Sequence, residues 1–171
     1  KVERKQVFSH TLLQFGVDAD NIIPELVTVF RNHDPEISLF KGAHNALVAL
    51  KKEFVLGLIT GGKKEVQENK VMALNLNSYF NVITYAEEYG GKCSPKPFTV
   101  TLEKLHVRPQ ESVYVDDNPF NGLAIAKKLG IRTIRMMRGE NKHMTIDDEK
   151  NRPDSEISNL AQLEDIIRDF H

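Results

Sequence analysis

Residues 113–118, Val-Tyr-Val-Asp-Asp-Asn, hold the side chains best suited to chemistry. Three apolar residues run into adjacent carboxylates, Asp116 and Asp117, and a helical pattern follows from Phe120 to Leu129, with Gly130 as its stop. An open parallel sheet builds its sites where buried strands deliver polar side chains at their carboxyl ends. Two clustered carboxylates in that place suit Mg²⁺, which takes hard oxygen ligands. The same pair would also suit a turn that caps the next helix.

Two other segments carry comparable potential. Thr60 ends an apolar run, Val55 to Ile59, and is followed by Gly61 and Gly62. Its hydroxyl and the neighbouring backbone N–H groups could grip an anionic oxygen; a plain strand-to-helix turn would use the same residues. Lys92 lies in Gly-Gly-Lys-Cys-Ser-Pro-Lys-Pro-Phe. Held beside a site, it would neutralise phosphate or a carboxylate nucleophile; in a solvated loop it would do neither.

The elements that must position these residues alternate. Helical spacing covers residues 7–15, ending at Gly16, and 22–32, where Asp20 or Asn21 can cap and Pro24 sits in the first turn. A third helix fits 43–52. Strands fit 55–60, 82–85, 113–115 and 132–136, with helices at 63–74, 98–105, 120–129 and 159–170 between and after them. Residues 137–154 are polar and read as a mobile surface loop. The alternation predicts an α/β fold with a doubly wound, parallel, Rossmann-like sheet. The two leading helices precede any strand and read as a separate piece.

Composition narrows the classes. The chain has 171 residues, 40% hydrophobic and 27% charged, with 23 basic and 24 acidic residues. That length suits one domain, or a core with a small appendage. A net charge of −1 offers no basic field for nucleic acid or an anionic membrane. No apolar run approaches the length of a membrane span. Cys93 is the single cysteine, which rules out an internal disulfide and a cysteine zinc site. A reducing compartment, the cytoplasm, is the expected location. The six histidines show no metal-ligand spacing.

With these motifs in order, the chain resembles the haloacid dehalogenase (HAD) superfamily over nearly its whole length. Leu58-Ile59-Thr60-Gly61-Gly62 resembles the second family motif, which implies Thr60 and Gly61 as phosphate-binding groups. Lys92 resembles the third-motif lysine, with Cys93 where proline is usual; Lys96 is the competing candidate, but Pro95 and Phe98 fit better with Lys92 in place. Val115-Asp116-Asp117-Asn118-Pro119 resembles the fourth motif, implying Asp117 as direct Mg²⁺ ligand and Asp116 in the hydrogen-bond shell around it. Gln67, Lys70, Ala73 and Leu74 match the helix after the second motif. Asn121 and Gly122 stand where a further acidic residue is often found. Residues 1–38 resemble the later part of a helical cap, leaving 39–171 as the core.

The resemblance implies a Mg²⁺-dependent phosphatase that hydrolyses a small-molecule phosphomonoester through an aspartyl-phosphate. It also implies a first motif, an apolar central strand ending Asp-x-Asp, between the strands at 55–60 and 113–116. A literal Asp18-x-Asp20 occurs, which would make Asp18 the nucleophile and Asp20 the acid, but residues 7–15 have helical periodicity and no Gly-Thr follows. The expectation is that the central strand comes from an N-terminal segment outside this numbering or from another chain. This chain alone should then be inactive. The alternative is a catalytically inactive family fold serving as a binding or regulatory module. Dehalogenation ranks third, because paired carboxylates favour a metal.

Overall fold

The computed structural model describes residues 6–17 and 20–170. Among the described residues, the chain forms five strands and seven α-helices. Helices α1 (Val7–Gln14) and α2 (Ile23–Asn32) come first and pack on each other, with the Phe8 and Phe30 rings edge to face, centroids 6.0 Å apart. Asp20 and Asn21 fall in a 3₁₀ turn, Asp20–Ile22, and Ile22 occupies the N-cap of α2. The expected N-cap, Asp20 or Asn21, is therefore corrected: Ile22 holds that position, and its apolar side chain makes no capping bond. The pair touches the rest through Asn69 Nδ2, which donates to the carbonyls of Arg31 and His33 at 3.2 and 3.4 Å. The Asp18 alternative lies outside the described residues.

Helix α3 (Ala43–Glu53) leads to β1 (Gly57–Thr60), α4 (Lys64–Ala73), β2 (Val82–Tyr85), α5 (Lys96–Leu105), β3 (Val113–Asp116), α6 (Gly122–Lys128), β4 (Arg132–Met136), β5 (Ser155–Ile157) and α7 (Leu163–Asp169). Among the described residues all strand pairs are parallel; helical crossovers join β1 to β2 and β3 to β4. β1 pairs with β2, and β3–β4–β5 form a second sheet. β4 is buried along Thr133–Met136 and pairs on both sides, which makes it the central strand of its sheet. On one face Leu50 of α3, Ile134, Met136, Ile157 and Leu163 of α7 form a core. On the other, Phe98 of α5, Ala126 of α6 and Ile131 form a second core against Ile59 and Tyr114.

β1 and β3 do not pair. A cavity of about 480 Å³ separates them, lined by Gly57, Leu58 and Ile59 on one side and Val113, Tyr114 and Val115 on the other. In a parallel strand, alternate residues turn their backbone groups to opposite neighbours. The Leu56 carbonyl accepts from Val82, and the Ser112 carbonyl from Arg132. Leu58 and Tyr114 thus face β2 and β4, while Gly57, Ile59, Val113 and Val115 face the slot.

Residues 137–154, expected as a mobile loop, contain two 3₁₀ turns, Glu140–His143 and Glu149–Asn151, and lead into β5. The loop is pinned from below. Asp154 accepts from the Thr133 N–H and hydroxyl, both at 2.7 Å, and Arg135 of β4 bonds two of its carbonyls.

Candidate functional site

Thr60, Lys92 and Asp116 all stand at carboxyl ends of strands or in the loops just beyond them. Lys92 lies two residues after Gly90, in the turn before α5, and its stem runs along Gly61: a Cβ built on Gly61 would lie 3.0 Å from Lys92 Cγ. Lys92 Nζ reaches Asp116 Oδ2 at 3.2 Å, with side chains 32% and 12% exposed. Both residues border the slot between β1 and β3.

Asp116 is heavily engaged as an acceptor. Its Oδ2 takes the Tyr114 hydroxyl at 2.8 Å as well as Lys92, and its Oδ1 takes the Asp117 N–H at 2.8 Å. Burial works against ionising this carboxyl, but the Lys92 charge and the Tyr114, Asp117 and Lys92 hydrogen bonds outweigh it and hold the group below its ordinary range. Burial, then the Asp116 charge, push the Tyr114 phenol upward, so it remains a donor. Asp117 differs. Asn141 Nδ2 donates to its Oδ2 at 2.8 Å, and Oδ1 takes no hydrogen bond among the described residues. The pair thus divides into one saturated carboxylate and one with an open oxygen.

Thr60 ends β1, and its hydroxyl donates to Gln67 Oε1 of α4 at 2.7 Å. In this arrangement the hydroxyl proton is committed to Gln67, and contact with an anion requires that proton to turn away. Asn121 and Gly122 supply no carboxylate. Gly122 is instead sterically required: a Cβ there would lie 2.6 Å from Tyr114 Oη and 2.8 Å from Asp116 Oδ2. Among the described residues, no three His, Cys, Asp or Glu side chains are grouped to hold a metal. Two carboxylates are compatible with Mg²⁺, which commonly keeps several waters and binds one or two carboxylates with substrate oxygens. Cys93 is exposed and free, 3.8 Å from Asn121 Oδ1.

Two participants escaped the sequence reading. Tyr114 reads as a strand apolar residue, and only its position two residues before Asp116, on the same face, could have flagged it. Asn141 sits in a polar loop with no local signal.

This arrangement has relatives. The family model for haloacid dehalogenase-like hydrolases matches residues 6–136. The chain is 30% identical over 170 residues to a glyceraldehyde 3-phosphate phosphatase of Methanopyrus kandleri, covering 95% of this chain and 72% of that protein. It is 27% identical over 162 residues to a phosphoserine phosphatase of Thermus thermophilus, covering 94% and 63%. With two further glyceraldehyde 3-phosphate phosphatases included, the chain spans 53% to 72% of its relatives' lengths. The crystal structure of a 2-haloacid dehalogenase from Pseudomonas syringae superposes with a TM-score of 0.73 at 31% identity, covering 98% of this chain and 71% of that one. The chain belongs to the haloacid dehalogenase-like hydrolases.

Proposed function

We propose that this chain carries the phosphate grip and part of the metal site of a Mg²⁺-dependent phosphatase for a small phosphomonoester. The contact of Lys92 with Asp116 at the mouth of the slot between β1 and β3 carries this reading. It places one cation and one carboxylate where strand ends converge, beside the Gly61 N–H and Thr60. Lys92 and the Gly61 N–H hold the phosphoryl oxygens, with the Thr60 hydroxyl joining once it leaves Gln67. Asp117 offers Oδ1 to the metal, and Asp116 stays in the surrounding hydrogen-bond shell. Bound Mg²⁺ would neutralise phosphoryl charge and orient the ester. The phosphatase relatives support this substrate class.

The nucleophile belongs to a strand seated in the slot, supplied by an N-terminal segment outside this numbering or by another chain. Its carboxylate attacks phosphorus as the ester P–O bond breaks and the alcohol leaves with a proton; water then hydrolyses the aspartyl-phosphate, releasing inorganic phosphate and restoring the carboxylate. In this reading residues 1–38 are part of a helical cap, residues 39–171 are the core, and the protein works in the cytoplasm. No helix among the described residues is long and apolar enough to cross a membrane.

Calorimetric titration with inorganic phosphate in the presence of Mg²⁺ tests the grip. Phosphate should bind the wild type and bind Lys92→Ala at least about tenfold more weakly, since loss of a charge-assisted contact is worth about 1.5–3 kcal/mol. Equal affinity in both proteins would refute the assignment of Lys92.

A further inference from the structure

Arg135 is a costly residue to place in a central strand. It is 3% exposed, between Ile134 and Met136, and its register partner in β3 is Asp116. A buried guanidinium is tolerated only when its N–H groups are bonded. Its ion pair with Glu156 is long, 3.3 Å, and Glu156 is 47% exposed, so solvent screens much of that attraction. Nε has no partner. The short bonds go elsewhere: Nη2 donates to the carbonyls of Asn141 and Met144, each at 2.8 Å.

Those carbonyls lie within and directly after the 3₁₀ turn Glu140–His143. The turn presents Asn141, whose Nδ2 lies 2.8 Å from Asp117 Oδ2. Gly139 enters it at φ 68°, ψ −155°, a conformation essentially restricted to glycine. There the backbone passes close enough to Asp117 that a built Cβ would stand 3.8 Å from Oδ2. A buried cation and a glycine-only bend thus hold the turn whose amide donor bonds one oxygen of Asp117.

We infer that Arg135 and Asn141 are positioning residues: Arg135 clamps the 140–143 turn, and Asn141 holds Asp117 Oδ2 so that Oδ1 is aimed at the cation. This rests on the reading of Asp117 as a Mg²⁺ ligand. Residues that orient a metal ligand from behind typically change metal affinity about 10- to 100-fold when removed. Arg135 acts only through Asn141, so the two effects should not add.

The test is calorimetric Mg²⁺ titration of the wild type, Asn141→Ala, Arg135→Met, the double variant and Asp117→Asn, with amide exchange followed over residues 139–146. Each single variant should bind Mg²⁺ about tenfold more weakly, and the double variant no more weakly than the worse single. Exchange over 139–146 should accelerate in Arg135→Met. Asn141→Ala changes a loop side chain only, so it reads the proposal even if Arg135→Met fails to fold. Wild-type affinity in Asn141→Ala, with binding lost in Asp117→Asn, overturns the inference and leaves the metal reading standing. Undiminished binding in Asp117→Asn overturns the metal reading, and the inference with it. Unchanged exchange in a folded Arg135→Met overturns the clamp on its own.

Discussion

At the scale of single residues, the site turns on how donors are shared between two adjacent carboxylates. Asp116 receives Lys92, Tyr114 and its neighbour's N–H, and Asp117 receives Asn141 alone among the described residues. Removing a donor from a poorly exposed carboxylate weakens a charge-assisted bond. Tyr114→Phe should therefore lower stability by about 1.5 kcal/mol, measured by urea denaturation. Gly122→Ala should do at least as much damage, about 1–3 kcal/mol, because its Cβ would overlap the Tyr114 hydroxyl and Asp116. The two losses should be less than additive, since both disturb one hydrogen bond. Asp116, Asp117, Thr60 and Lys92 were legible as candidates because they stand in short, strand-anchored motifs of distinctive order. Tyr114 was not, because a tyrosine in a strand reports burial and leaves the target of its hydroxyl unspecified. Arg135 and Asn141 were not, because a long-range clamp leaves no local spacing.

At the scale of elements, the strands at 82–85 and 132–136 were legible to the residue: the first is a bounded run of β-branched and aromatic side chains, and the second sets Thr133, Ile134 and Met136 among two arginines. β5 was not. It has three residues and one buried apolar side chain, Ile157, and tertiary pairing rather than pattern defines it. Its entry is latched by Asp154, which accepts from the Thr133 N–H and hydroxyl and pairs with Lys127 at 3.3 Å. Partial burial opposes ionisation of Asp154, but the Thr133 and Lys127 bonds outweigh it and depress the carboxyl below its ordinary value. A depressed folded value means that the stabilisation is present above the unfolded value, near pH 4, and is lost as pH falls through the folded one. Asp154→Asn should thus be less stable than wild type at neutral pH. The gap should close as pH falls below about 4, as read from urea midpoints across pH.

At the scale of the whole molecule, the two sheets flank a slot instead of closing on each other. The parallel order and the two-sided helix layers follow from the alternation of elements. The non-pairing of β1 and β3 follows from neither strand's own residues, and only the family resemblance gave a reason to expect a strand between them. Unpaired backbone groups cost about 1–3 kcal/mol each when buried, and a domain's net stability is about 5–15 kcal/mol. Those edges must therefore be wetted or filled. In the chain alone, the amides of Gly57, Ile59, Val113 and Val115 should exchange faster than those of Leu58 and Tyr114, which face β2 and β4. Equal protection across both sets would show the slot closed.

If the nucleophile arrives on a strand in that slot, as proposed above, this chain should bind phosphate without cleaving its ester. Steady-state hydrolysis of p-nitrophenyl phosphate with Mg²⁺, by this chain and by its Asp18→Asn variant, tests it most directly. Neither protein should then show turnover above background, because a chain without the nucleophile lacks the covalent route altogether. Robust turnover by this chain, abolished in Asp18→Asn, would contradict it and make Asp18 the nucleophile.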